Sequence, residues 1–466
     1  MSERIERAAR YLDETPKPAE YKSAYHFDVP IGWMNDPNGC VRFKGKYHVF
    51  YQHNPYWPDR APMYWGHAVT EDFVHWTNLP PALAPDEKYD KDGCWSGSAI
   101  EKDGKLYLMY SGVSGGIQQQ CMAYSSDGVN FTKCPLNPVI PESMLPPFSA
   151  GNDFRDPYLV KKADTYYVIT GAKDESKRCG RALLFESKDL EHWSYTGEFF
   201  RDESITTDGI FECPSFFSTI GGDALITSLN NYYSDDPVYR NAHVPVAYVG
   251  KADFDKRKFT ARSRQILDYG FDFYAPQIMY CGDRFTEITW MQAWSRSYPT
   301  GKFGWIGSLT FPREISIKDG LIVHKPAREL DKYCFLQSCG EAENAFFPLA
   351  PARVKLTLGP GAGFAVESEK AFVKCEYDVL RGALVMTRGG DVGVTDSRCR
   401  SENNWTERVL PLTSAPALDV LVDNASVEVF AETKTENGVM STTALFSSDA
   451  GIRISKAKYE FYEINV

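Results

Sequence analysis

Three acidic residues in this 466-residue chain stand in settings foreign to a solvated surface. Asp36 lies in WMNDPNG (33–39), Asp156 in NDFRDPY (152–158) and Glu212 in FECPSF (211–216), each flanked by proline and aromatic residues rather than by lysine and serine. A carboxylate withdrawn from water needs a partner or a task. Two opposed carboxyl groups are what glycoside cleavage requires: one attacks or activates water, and the other protonates the departing oxygen. A third acid can hold substrate hydroxyls and stabilise the positive charge that develops on the sugar ring. Arg155, beside Asp156, is suited to keep that carboxylate ionised or to bind hydroxyls. For any one of these acids the capping of a turn is the simpler role. Their joint meaning depends on whether the fold brings them together.

A recurring hairpin supplies the positioning element. A turn followed by a β-branched and aromatic run appears around Gly45, Gly104, Asp164, Gly222 and Gly282, at intervals of 59, 60, 58 and 60 residues. Near-constant spacing is the signature of one repeated supersecondary unit. TEDFVHW at Thr70, SSDGVNF at Ser125 and SKDLEHW at Ser187 add an Asp-bearing turn to three of the units,. With no long amphipathic helical pattern between the strands, the chain predicts an all-β fold: a five-bladed β-propeller followed by a C-terminal β-sandwich. The expected divisions are an N-terminal arm over 1–22, the propeller over 23–325, a linker over 326–344 and the sandwich over 345–466. The sandwich rests on runs such as ARVKLTL, ALVMTRG, LDVLVDNASVEVFA and TTALFSS,.

The repeat also places the acids. Asp36 precedes Gly45 by 9 residues, Asp156 precedes Asp164 by 8 and Glu212 precedes Gly222 by 10, so they fall at matching places in the first, third and fourth units. The matching stretches elsewhere are Trp95–Ser96 and Asp272–Tyr274. A strand preceding a blade's first turn lines the axis, so matching positions converge at one mouth of the channel.

Composition removes several classes of function. A net charge of −11 with no Lys/Arg block disfavours nucleic acid and anionic membrane as partners,. No apolar run approaches a membrane span, and the first eighteen residues carry charges every few positions, unlike a secretory signal, so a cytoplasmic location is expected. Eleven scattered cysteines without a CxxC pair suggest reduced thiols, not disulfides,. Eight histidines with no ligand spacing predict neither a metal nor any other cofactor,. Asn130, Asn404 and Asn424 begin glycosylation sequons, which matter only in a secreted chain.

The motifs WMNDPNG (33–39), FYQHNP (50–55), WGHA (65–68), WSGSA (95–99), FRDP (154–157), ECP (212–214) and DFYAPQ (272–277) occur in order. In them the chain resembles the β-fructofuranosidase family, glycoside hydrolase family 32, which includes invertases, sucrose-6-phosphate hydrolases, fructan hydrolases and fructosyltransferases. The resemblance covers residues 22 to 325 strongly and the rest more loosely. It implies Asp36 as nucleophile, Glu212 as acid/base and Asp156 as transition-state stabiliser in a retaining hydrolysis of sucrose, sucrose 6-phosphate or short fructo-oligosaccharides. It further implies that Asn35, Gln52, Ser96 and Arg155 contact the fructosyl unit, and that Trp33, Trp65, Trp95, Tyr274 and Trp294 form aromatic walls. The chain departs from the family at Arg60, where a tryptophan is usual. Either Trp57 replaces that wall or Arg60 brings a charge near the site, which would suit a phosphorylated sugar, while a solvated surface arginine is the simpler reading. A general acid must hold a proton, so Glu212 is expected to have a raised pKa through ionised Asp36, with Asp36 itself held ionised by its own turn. Three rival readings keep the fold: a fructosyltransferase, an inverting glycosidase acting on arabinose polymers, and a non-catalytic sugar-binding propeller. Sequence leaves the oligomeric state open.

Overall fold

The computed structural model describes residues 2–174, 179–205, 209–232, 238, 241–294, 296–395 and 406–466; the sequon at Asn404 lies outside them. Five antiparallel sheets each begin with an axial strand: Gly32–Phe43, Gly93–Lys102, Phe154–Lys162, Phe211–Thr219 and Tyr274–Tyr280. These strands touch in a closed ring, giving the five-bladed propeller,. The expected turns follow each of them. Lys44–Gly45 and Asp103–Gly104 take positive φ at both residues (48° and 85°; 51° and 74°), the twist that suits a tight hairpin,. The Asp-bearing turns share one geometry. Thr70, Ser125 and Ser187 hydroxyls accept from the backbone three residues on, while Asp72, Asp127 and Asp189 accept from the next two amides,. Trp305–Ile306, from blade five, pairs in parallel with Gly32–Trp33 and ties the last blade to the first.

The N-terminal segment is the helix Glu3–Glu14, capped by Ser2, with Ile5 and Ala8 buried against Tyr64 and Ala84 of blade one. Beyond the propeller lies a nearly closed ten-stranded sheet. Its strand Gly451–Ile464 pairs with Cys334–Pro348 on one edge and with Gly363–Glu367 and then Ala352–Thr357 on the other, so that two layers share it. Val354, Val373, Val420, Val429 and Ile454 fill the space between the layers. Two sequence expectations need correction. The stretch 326–344 contains the short 3-10 helix Arg328–Tyr333 and most of the strand Cys334–Pro348, whose side chains are largely exposed and therefore show no apolar alternation. TTALFSS contributes only Thr442 and Thr443 to a strand, Asn437–Thr443; Ala444, Leu445 and Phe446 are apolar because they are buried in an irregular segment.

Candidate active site

Four of the five axial strands carry a proline at one register position: Pro37, Pro157, Pro214 and Pro276, with Gly97 as the counterpart in blade two. A bulge interrupts the pairing at each of these places,. Asp156, Cys213 and Ala275, the residues before three of the prolines, adopt left-handed backbone at φ 63°, 46° and 56°. Each such conformation costs on the order of 1–3 kcal/mol and persists only where the surroundings impose it. Here the imposed geometry turns consecutive side chains toward the axis. Gly97 has its own constraint, since a Cβ there would lie 1.9 Å from the Met109 carbonyl. Equivalent serines seal neighbouring blades, with Ser98 donating to the Pro157 carbonyl (2.8 Å) and Ser215 to that of Pro276 (3.1 Å).

The residues before the prolines form one tier and those preceding them a second. In the first tier Ser96 donates its hydroxyl to Asp36 Oδ2 (2.7 Å), and the Cys213 thiol lies 3.4 Å from the same oxygen and 3.6 Å from Asp156 Oδ2. The Cys213 amide donates to Asp156 Oδ2 (2.9 Å). Asp36 Oδ1 accepts no hydrogen bond, although it is buried. In the second tier Arg155 donates to Glu212 Oε1 from Nη2 (2.7 Å) and Nε (3.2 Å), and the Tyr274 hydroxyl donates to Glu212 Oε2 (2.5 Å). The Trp95 ring lies 6.0 Å from the Arg155 guanidinium. Trp33 donates to Asn35 Oδ1 (2.8 Å) and stacks on Trp294. The fold thus brings Asp36, Asp156 and Glu212 to one place, with Asn35, Ser96, Arg155, Trp95 and Tyr274 around them. Gln52 reaches the Cys94 carbonyl behind Ser96 (3.0 Å).

Several details differ from the sequence expectation. Trp65 is fully buried between Phe50 and Tyr110 and donates to the Trp95 carbonyl, so it backs the site without an open face. Tyr274 is also fully buried, with its hydroxyl on Glu212 and no ring face open to the site. Counting from the hairpin turns equated Glu212 with Asp36 and Asp156. The prolines show that Cys213 is their true equivalent while Glu212 matches Arg155, and the count agrees, since Cys213 precedes Gly222 by 9 residues as Asp36 precedes Gly45. The four prolines in register were the signal that would have found Cys213. Trp290, buried against both Trp33 and Trp294, was missed and has no comparable signal.

The electrostatics also depart from expectation. Burial raises the Asp36 pKa, the Ser96 hydrogen bond opposes this and the charge of Glu212 adds to it. Asn35, in Asp36's own motif, and Cys213 of blade four also oppose the rise, more weakly than Ser96 of blade two. Burial pushes Asp156 up to about 7 against the pull of Arg155, helped by Glu212 and Asp36. Burial also pushes Glu212 upward, but the Arg155 charge and the Tyr274 and Arg155 hydrogen bonds outweigh it and leave its pKa lowered. The expected rise at Glu212 considered Asp36 and left out this guanidinium.

Arg60 lies over the Trp294 ring, 4.4 Å from its centroid, and has no carboxylate partner among the described residues. Trp57 is half-exposed and packs against Tyr56. A cavity of about 660 Å³ lies away from the acids, between blade five and the C-terminal sheet beside Lys325, Lys355 and Tyr459. Among the described residues no His, Cys, Asp and Glu group is arranged to hold a metal ion, and no helix is long and apolar enough to cross a membrane.

Residues 26–326 match the family model of the glycosyl hydrolases family 32 N-terminal domain. A sucrose-6-phosphate hydrolase of Zymomonas mobilis is 32% identical over 461 residues, covering 92% of this chain and 88% of that protein. The structure of a Bombyx mori GH32 β-fructofuranosidase superposes with a TM-score of 0.87 at 26% identity, covering 99% of this chain and 98% of that one. A mutant of the Bombyx mori enzyme, solved in complex with sucrose, superposes with a TM-score of 0.85 at 27% identity, over 99% of this chain and 97% of that one. With its five-bladed fold and clustered carboxyl groups, the chain belongs to glycoside hydrolase family 32, the β-fructofuranosidase family, and is a glycoside hydrolase.

Proposed function

We propose that this chain hydrolyses the fructosyl bond of sucrose, sucrose 6-phosphate or short fructo-oligosaccharides with retention of configuration. The observation that carries the reading is the state of Asp36: Ser96 and Cys213 hold one carboxylate oxygen, while the other is buried and unbonded. That free oxygen attacks the fructosyl C2 as the bond to the leaving sugar breaks, giving a covalent fructosyl-enzyme. Glu212 gives its proton to the departing oxygen. It then takes one from the water that attacks C2 and releases Asp36. Asp156 holds ring hydroxyls and faces the developing positive charge.

The substrate-free site keeps Glu212 ionised against Arg155, so acid competence belongs to the substrate complex. Arg155 Nε is 4.0 Å from Asp156 Oδ2, and a small turn of the guanidinium toward Asp156 and the sugar hydroxyls frees Glu212 to bind a proton. Substrate burial raises its pKa further. Arg60 on Trp294 favours a phosphorylated leaving sugar, in keeping with the activity named for the Zymomonas mobilis relative, and a cytoplasmic location suits such a small substrate.

The test is Glu212→Gln. With sucrose, whose leaving glucose needs a proton, the rate should fall by several orders of magnitude. A fructoside with a nitrophenolate leaving group should instead give a burst of nitrophenol and then a slow phase, because deglycosylation still lacks its base. Equal slowing of both substrates with no burst would remove Glu212 from the acid/base role.

A further inference from the structure

The segment that leads into the fifth axial strand is built partly into the C-terminal sheet. The Tyr269 amide donates to the Val439 carbonyl (2.7 Å) and the Phe271 amide to that of Ser441 (2.8 Å), a strand-like contact with Asn437–Thr443, which ends the order of its own sheet. Between them Gly270 permits the approach, since a Cβ there would lie 2.2 Å from the Ser441 backbone. Phe271 belongs to the apolar core of the C-terminal sheet, with the guanidinium groups of Arg388 and Arg408 4.0 and 4.4 Å from its ring centroid. Asp272 is fully buried and pairs with Arg388 Nη1 (2.5 Å), while its Oδ2 also accepts from the amide and hydroxyl of Thr443 (2.9 Å each). Two residues later stands Tyr274, whose hydroxyl meets Glu212. His243 packs edge-on against the Tyr274 ring, and Arg155 meets Glu212 from the other side.

We propose that Arg388 and Asp272 are positioning residues through which the C-terminal sheet fixes the Tyr274 hydroxyl on Glu212. The inference rests on Glu212 being the acid/base. Neither residue touches the acids, so their effect passes along Asp272–Phe273–Tyr274. A buried ion pair with two further donors on the same carboxylate oxygen has a single geometry. Loosening it shifts the next turn of chain by a fraction of an ångström to an ångström, enough to misplace a catalytic hydrogen bond.

The experiment uses the full-length protein carrying Asp272→Asn, with Arg388→Lys as a milder second variant that retains the charge. Each is also combined with Tyr274→Phe, and kcat, KM and the pH profile are measured on sucrose. Asp272→Asn should lower kcat by about tenfold to a hundredfold, with KM changed far less, and should move the alkaline limb in the same direction as Tyr274→Phe does. In the Tyr274→Phe background it should cost less than about twofold more, since coupled residues do not add. Arg388→Lys should show the same pattern with a smaller loss. Asp419→Asn, which disturbs the bidentate pair with Arg353 inside the C-terminal sheet and away from residues 268–274, serves as the control: it should lower the melting temperature without moving the pH profile. Multiplicative losses in the double variants, or an Asp272→Asn profile that keeps the wild-type limbs, would overturn the proposal. If Asp272→Asn does not fold, the same outcomes are read from Arg388→Lys. A failure of the Glu212 assignment itself would show separately, as equal slowing of both leaving groups by Glu212→Gln.

Discussion

Ser96→Ala isolates the hydrogen bond that prepares the nucleophile. In the native site Asp36 Oδ2 takes a hydroxyl donor at 2.7 Å, and after the substitution only the Cys213 thiol at 3.4 Å remains, a weak donor,. A hydrogen bond to a charged group is worth about 1.5–3 kcal/mol. At about 1.4 kcal/mol per pKa unit its loss raises the Asp36 pKa by roughly 1–2 units, beyond the rise that burial and Glu212 already impose,. The sign follows from the chemistry. Asp36 attacks as a carboxylate, so activity is lost as pH falls through its pKa, and a higher pKa moves that loss toward neutrality. The assay is single-turnover release of glucose at saturating sucrose across the acid range, which reports groups of the substrate complex in the step where Asp36 attacks. The acidic limb should move up by about 1–2 pH units while the alkaline limb stays within a few tenths. An unmoved acidic limb, or a shift confined to the alkaline one, would refute the account of how Asp36 is held.

Arg60→Ala should raise KM for sucrose 6-phosphate about tenfold, the value of one partly solvated charge-assisted contact, and leave sucrose within about twofold; equal effects on both substrates would return Arg60 to a purely stacking role on Trp294. Between the propeller and the C-terminal sheet, His26 is buried between Asp423 (2.8 Å) and Glu428 (2.9 Å), and although burial lowers its pKa these carboxylates raise it to about 9. A raised folded-state pKa contributes stability that is complete below the unfolded value of about 6.5 and lost as pH rises toward 9. The melting-temperature gap between the wild-type protein and His26→Gln should therefore narrow over that window, and a gap that stays constant would exclude the linkage.

The fold was legible because its unit is local. A hairpin turn such as Lys44–Gly45 and an Asp turn such as that of Asp72 each rest on a few adjacent residues, and five repeats at nearly equal spacing announce a ring. The three acids were legible for the same reason, as each lies in a short motif of unusual composition. Cys213 escaped notice because acids were matched with acids: it precedes Gly222 by 9 residues, as Asp36 precedes Gly45, whereas Glu212 precedes it by 10. What the sequence hid depends on contacts between blades. The pKa of Glu212 depends on Arg155, 57 positions away in the chain, and an estimate from Asp36 alone had the wrong sign. The strand Cys334–Pro348 was hidden because it lies at an exposed edge and follows no apolar rhythm.

The central claim is direct attack by Asp36 with retention, and methanol as a competing acceptor tests it most directly. Free fructose interconverts between its forms, whereas a methyl fructofuranoside keeps the configuration set when it forms. Water or methanol that intercepts a covalent intermediate at Asp36 enters from the face vacated by the leaving sugar. Carbon NMR of the products from sucrose in aqueous methanol should therefore show the methyl β-fructofuranoside, and Asp36→Ala should form none. The α anomer as the product would contradict the account.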